Sequence, residues 1–221
     1  MVFAKRNRKI RKGGIIVKIE TKEVAGFIPA LHGMRSPMNS WHLNDSYMET
    51  CYKPIIGEKD LDLAQRLVKA GSEHCKFLRQ IQVWADFDMP LYWWSEFDTY
   101  KFNTKNSCST MHKLLNAKKE IELNDFVYSN DIEGEILKFL VRELNILREK
   151  YLETKDFKYV IIAKRILPTS YKQKRIVNTN YAELRNIYFQ RKNHRLKEEW
   201  QDVFCKWVES LPYAEELILY K

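Results

Sequence analysis

Residues 74–112 read HCKFLRQIQVWADFDMPLYWWSEFDTYKFNTKNSCSTMH, and the fold turns on how this stretch divides. Ile81, Val83, Ala85 and Phe87 recur with a period of two, which predicts a half-buried strand entered at His74. Pro90 then interrupts. Proline suits the first position of a helix, where no amide donor is needed, so a helix is expected to follow. Its opening, Leu91-Tyr92-Trp93-Trp94, is unusually aromatic for a surface helix. After Lys101 comes a run of small polar groups: Thr104, Asn106, Ser107, Ser109 and Thr110. They are poor core material. Their hydroxyls and amide, with Lys101 and exposed backbone N–H groups, suit a turn that binds an anion, a phosphate in particular; Thr/Ser-rich turns are also common as plain turns.

On the N-terminal side, 14–20 and 23–28 are short strand candidates. Residues 29–41, PALHGMRSPMNSW, read as a loop that carries a buried-type Trp41 near Arg35, Asn39 and Ser40, a mix found both at sites and on plain surface. Leu61, Leu63, Ala64, Leu67 and Val68 recur at helical spacing, with Asp60 as a cap and Gly71 as a stop. On the C-terminal side, Asn130 or Asp131 caps a long amphipathic helix. Its stripe of Ile132, Ile136, Leu137, Leu140, Leu144, Leu147 and Tyr151 is expected to be core or subunit interface. Residues 157–166 fit strand or helix, and the 157, 160, 161, 164 spacing before Pro168 favours helix. A strand over 171–177 leads to a helix over 181–191 capped by Asn178 or Asn180. A last helix, 196–211, aligns Leu196, Trp200, Val203, Phe204, Trp207 and Val208 on one face before Pro212.

The chain has 221 residues, of which 45% are hydrophobic and 13% aromatic, enough for a sizeable core in one domain. Its net charge of +9 is concentrated: 5–12, KRNRKIRK, hold six positive charges, leaving 9 − 6 = +3 elsewhere. The expected organisation is a flexible basic arm over 1–12 and a single domain over 13–221. Such an arm either touches nucleic-acid backbones or is simply solvated. Only Ile15, Ile16 and Val17 follow it before Lys18, too few for a secretory apolar region, and no apolar run reaches membrane-spanning length. Cys51, Cys75, Cys108 and Cys205 form no C-x-x-C pair, which argues against a disulfide framework or zinc site and suits a reducing cytoplasm. Histidines 32, 42, 74, 112 and 194 form no H-x-x-x-H pattern, so no metal site is expected. There is no glycine-rich phosphate loop, dinucleotide fingerprint or nucleophile elbow.

Four features exceed what packing needs: the polar run after Lys101, the aromatic group Tyr92 to Tyr100, His74, and the segment NYAELRNIYFQR over 180–191. At 3.6 residues per turn, Asn180 and Arg191 are expected on one face, with Asn186 roughly 120° away. An Asn and an Arg on one face could read a planar heterocycle, the Arg also stabilising developing negative charge. The aromatics are core or a stacking platform.

Together these features resemble the flavin-dependent thymidylate synthase family. Its signature, R-H-R-x-x-S-x-N-E-x-S-x-R, follows a strand entered through a His and a proline-started helix. In ungapped register from His74, the R-H-R falls on Thr99-Tyr100-Lys101. The first Ser falls on Thr104, the Asn on Asn106, the Glu on Ser107, the second Ser on Ser109 and the last Arg on Met111. The family's R-x-x-L-P step is matched by Lys164-Arg165-Ile166-Leu167-Pro168. Its N-x-R-x-x-x-N-x-x-x-x-R helix is matched by Asn180, Asn186 and Arg191, with Ala182 at the middle Arg. The likeness covers roughly residues 60–212, and MRSPMNSW takes the place of the family's A-x-R-x-S loop.

The resemblance implies an α+β fold with a mixed or antiparallel sheet flanked by long helices, in a homotetramer whose sites are shared between subunits. It implies FAD as cofactor and reductive methylation of dUMP to dTMP, with methylenetetrahydrofolate and NADPH as co-substrates. His74, Lys76, Thr99, Tyr100, Lys101, Asn180 and Asn186 would face the flavin. Glu96, Thr104, Asn106, Ser107, Ser109, Met111 and Lys164 would face the nucleotide. Arg191 would sit against the uracil ring and favour its N3-deprotonated form. Three cations of the signature are absent, and each lost charge-assisted contact costs about 1.5–3 kcal/mol unless Lys101, Lys164, Arg165 or Arg79 compensates. Two other readings stand beside this one. The chain could bind a pyrimidine nucleotide or flavin without making thymidylate, or bind nucleic acid through its arm.

Overall fold

The structure, a computed structural model, describes residues 17–51, 53–116 and 119–221. The basic arm, and the 14–16 part of the first strand candidate, lie outside the described residues.

In chain order, β1 (Lys18–Ala25) leads to α1 (Phe27–Met34), then an antiparallel pair, β2 (Tyr47–Thr50) and β3 (Lys53–Ile55), and α2 (Glu58–Ala70). A 3₁₀ turn at Lys76–Gln80 precedes β4 (Gln82–Pro90), α3 (Leu91–Phe97), β5 (Thr104–Ser107) and α4 (Thr110–Lys113). The long α5 (Asp131–Thr154), α6 (Lys158–Ile166), β6 (Lys172–Asn180) and α7 (Tyr181–Arg191) follow. The chain then runs through a π-helical segment, Lys197–Cys205, into α8 (Lys206–Glu209) and a π-helical turn at Ala214–Ile218.

These residues gather into two compact units, the first including Met89–Trp94 and Cys108–Gln173, the second Lys18–Asp88, Ser95–Ser107 and Lys174–Lys221. Their segments interleave along the chain, so no single break in composition separates them.

The second unit holds a four-stranded sheet in the order β1-β4-β6-β5, with β1 antiparallel to β4 and β5 antiparallel to β6. The alternation in β4 behaves as its period requires: Ile81, Val83, Ala85 and Phe87 are all buried. Phe87 packs against Phe97 and Trp207, whose ring centroids lie 5.6 and 5.2 Å away. Each fully buried ring of this kind contributes on the order of 1.5–3 kcal/mol by leaving water. His74 does not open the strand, because the 3₁₀ turn stands between them.

Several expectations are corrected here. Residues 23–25 continue β1, and the expected second strand is replaced by α1. Gly26, at φ 94°, turns the chain out of the strand, and Pro29 falls in the first turn of the helix, where amides lack intrahelical acceptors. The 29–41 loop is therefore half helix, and Trp41 is 43% exposed rather than buried, stacked on His32 at 6.0 Å. The last helix is π-helical over much of its length rather than a regular α-helix.

Asp60 is not a cap. It is fully buried inside α2, where Oδ1 takes Arg35 Nε at 2.6 Å and Oδ2 takes the amides of Asp45 and Ser46 and the Ser46 hydroxyl. Asp45 caps instead, accepting from the amides of Lys59 and Asp60 at 2.9 and 3.0 Å. Burial raises the Asp45 carboxyl pKa, but those two amide bonds outweigh it and hold the group below its ordinary range. Gly57 is required here, since a Cβ would come within 2.2 Å of the Asp45 carboxyl carbon.

In the first unit, the opening of α3 is anchored by its amides. Leu91 donates to Tyr171 O and Tyr92 to Thr169 O, both at 3.0 Å, and Pro90 needs no acceptor. Asn130 caps α5, taking the Glu133 amide at 2.9 Å while Glu133 reaches back to Ser129. The expected α5 stripe divides. Leu137 and Leu144, with Leu140, Leu147 and Tyr151 alongside, pack on Leu114, Leu115, Phe126, Val160 and Ala163. Ile132 and Ile136 face outward, and Phe139 and Ile146 are exposed with them. Residues 158–166 are helical, as the spacing predicts.

Candidate functional site

The residues with candidate roles fall into separate places. In the second unit, Glu96 near the end of α3 faces Arg191 at the end of α7. Arg191 Nη1 donates to Glu96 Oε2 at 2.7 Å, and its Nε donates to the Tyr100 hydroxyl at 2.8 Å. The same Glu96 oxygen takes Trp200 Nε1 and lies 3.2 Å from both that nitrogen and His194 Nε2. The Leu196 amide donates to His194 Nδ1, which fixes the orientation of the ring. The Arg191 guanidinium also lies 4.7 Å from the Trp200 ring centre and 5.5 Å from that of Tyr100, within cation–π range.

A chain of hydrogen bonds leads on from this pair. Tyr100 donates to Gln190 Oε1 at 3.0 Å, and Gln190 Nε2 donates to Asn186 Oδ1 at 2.9 Å. Asn186 borders a cleft of about 350 Å³ with Asn180, Ala182, Glu183, Arg79 and Phe102. Asn180 and Asn186 thus share a cleft whose lining does not include Arg191, the reverse of the helical-wheel expectation. The reason is local. Asn180 is the N-cap, with extended backbone at φ −141°, so a wheel of helical residues does not place it. Its Oδ1 takes the Glu183 amide and its Nδ2 donates to Phe102 O, while Glu183 Oε1 accepts from the Phe102 amide. These bonds fix the 102–103 segment and leave the Phe102 ring 68% exposed, with Arg79 5.8 Å from its centre. Arg185, also at the cleft, spends its guanidinium on the carbonyls of Ile218 and Tyr220, and burial lowers its pKa.

His74 and Lys76 line a different cleft, about 610 Å³, with Arg35, Ser36, Met38, Ser40 and Gln80. The segment 29–41 therefore borders a site-sized hollow after all.

The polar run after Lys101 is not the expected turn. Thr104, Asn106 and Ser107 lie on edge strand β5, opposite Asn178, Ile176 and Arg175. Lys105, between them, points to Asp98 at 3.0 Å. Burial raises the Asp98 pKa, but Lys105 and Arg175 outweigh it and hold the carboxyl below its usual range. Thr99 and Lys101 close the end of α3: the Thr99 hydroxyl donates to Glu96 O and Lys101 Nζ to Asp98 O. Ser109, Met111 and Lys164 belong to the first unit, where Ser109 caps α4 by accepting from the His112 amide at 3.3 Å.

His194, Trp200 and Gln190 are the contributors that sequence reasoning missed. Trp200 reads as one member of an apolar stripe, and no local pattern brings residues 96, 191 and 200 together.

No family model matches the sequence, and no curated protein matches it. Solved structures do. Thymidylate Synthase X (ThyX) from Helicobacter pylori with FAD and dUMP aligns with a TM-score of 0.68 at 18% identity, covering 92% of this chain and 97% of that one. Flavin-dependent thymidylate synthase ThyX from the same organism, complexed with FAD and dUMP, aligns at 0.67 and 18%, covering 92% and 98%. The chain has the fold of these proteins.

Proposed function

We propose that this chain is a flavin-dependent, thymidylate synthase-like enzyme that acts on a pyrimidine nucleotide. The observation that carries the proposal is the hydrogen-bond chain from Glu96 and Arg191 through Tyr100 and Gln190 to Asn186, on a fold shared with proteins solved with FAD and dUMP. It ties the residues matched to nucleotide contacts to those matched to flavin contacts.

The cleft beside Asn180 suits part of a flavin. Asn186 offers its Nδ2 donors, Arg79 a cation without a carboxylate partner among the described residues, and Phe102 an exposed aromatic ring. The volume is in the range of small-molecule sites. When bound, FAD would supply hydride chemistry, with NADPH as reductant and methylenetetrahydrofolate as one-carbon donor. Arg191 and Glu96, held from behind by the buried rings of Trp200 and Tyr100, would hold and orient the base of dUMP. The product of that reaction is dTMP.

A second reading draws on a specific observation. Arg191 is neutralised by Glu96, and the signature's first Arg, its His and its last Arg are Thr99, Tyr100 and Met111 here, which favours nucleotide and flavin binding without thymidylate synthesis. The absorbance spectrum of the purified protein tests the flavin: a bound flavin band is expected, and a colourless protein with no thermal shift from FAD or dUMP would remove both readings. Turnover with methylenetetrahydrofolate and NADPH then separates them, dTMP formation supporting the first and flavin binding without dTMP the second.

The outward face of α5 supports self-association. Ile132, Ile136, Phe139 and Ile146 follow the four-three spacing of a heptad seam, broken at Glu143. We take its partner to be a second copy of the chain, within a homotetramer. A cytoplasmic location is part of the same proposal.

A further inference from the structure

We infer that the Glu96–Arg191 pair reads a neutral imide edge, a ring N–H beside a ring C=O, and selects against a base that has lost its N3 proton. The inference rests on the nucleotide reading above and specifies the form in which the base is taken.

The pairing is one oxygen to one nitrogen. Arg191 Nη1, Trp200 Nε1 and His194 Nε2 all converge on Glu96 Oε2, while Arg191 Nε is spent on Tyr100. Among the described residues, neither Glu96 Oε1 nor Arg191 Nη2 has a partner. Arg191 Nη1 and Trp200 Nε1 both donate to Oε2 and hold the carboxylate, which leaves Oε1 as the acceptor and Nη2 as the donor of the pair. Neither group is sealed, the side chains being 31% and 18% exposed.

A lone arginine favours an anionic base. With a carboxylate bound to it, the pair is close to neutral overall, and Oε1 repels a deprotonated ring nitrogen while welcoming an N–H. The ring C=O then accepts from Nη2. The buried rings of Trp200 and Tyr100, on which the guanidinium stacks, keep the Arg191 fork in place. Uracil and 5-substituted uracils present this edge. The groups facing it that carry or could carry charge are Glu96, Arg191, His194 and Tyr100.

The test compares dUMP with 5-fluoro-dUMP, whose N3 is more acidic, by calorimetric titration of the full chain with excess FAD across a pH series. At each pH the ratio of the two affinities cancels titration of the protein and of the phosphate. Above the N3 pKa of the fluorinated base, its relative affinity is expected to fall about tenfold per pH unit. Glu96→Gln should flatten that fall, and the wild-type ratio stands without it. A ratio that stays level or rises with pH overturns this inference alone. Absence of binding by either nucleotide at every pH removes the nucleotide reading, and this inference with it.

Discussion

Two arginine–carboxylate pairs in the same unit sit in opposite surroundings. Arg35–Asp60 is shut away, at 4% and 0% side-chain exposure, and every Asp60 oxygen is spent on the protein itself. Arg191–Glu96 has a similar 2.7 Å contact but is partly exposed, with one oxygen and one nitrogen uncommitted among the described residues. The first joins the end of α1 to α2 and the 45–46 turn. The second faces solvent between α3 and α7. Burial, not the identity of the residues, separates the two pairs.

The contrast is broken most severely by Asp60→Ala. It leaves Arg35 buried without its partner, so a loss of about 3–5 kcal/mol is expected in urea unfolding; a loss under about 1 kcal/mol would show that the pair is not structural. Glu96→Ala should do the reverse. It is expected to weaken dUMP binding by about 1.5–3 kcal/mol, read by titration, while lowering unfolding stability by only about 1 kcal/mol because the pair is partly exposed.

Asp98 gives a smaller effect with a definite sign. Its folded pKa is depressed, so its contribution is present above the unfolded carboxyl pKa and lost as pH falls through the folded value. Asp98→Asn should therefore destabilise the protein near neutrality, by no more than about 1 kcal/mol since the group is 43% exposed, and the difference should vanish in acid. A difference that grows in acid would contradict the assignment. On the first unit, Ile136→Glu should lower the mass measured by light scattering and leave helix content unchanged; an unaltered mass would exclude the α5 seam as the contact between copies.

Much of the fold was legible because it is periodic. The alternation from Ile81 to Phe87, Pro90 before α3, the cap at Asn130 and the cap at Asn180 each rest on local backbone physics, and each stands in the structure. Local rules failed where tertiary contacts decide. Thr104–Ser107 reads as a turn by composition but gains ladder hydrogen bonds from β6, which outweigh weak β-propensity. Asp60 has the form of a cap, but a buried arginine 25 residues away claims it.

The candidate site was half legible. Asn180, Asn186 and Arg191 stand out by spacing, and Glu96 and Tyr100 enter through the family resemblance. The convergence of Trp200 and His194 on one oxygen of Glu96 spans about a hundred residues, and no sequence period encodes it.

The most direct test of the account is calorimetric titration of dUMP into the wild-type chain and Arg191→Ala, both with excess FAD. Saturable binding by the wild type and a loss of at least tenfold in affinity for the variant are expected. Equal affinities, or no binding by the wild type, would contradict it.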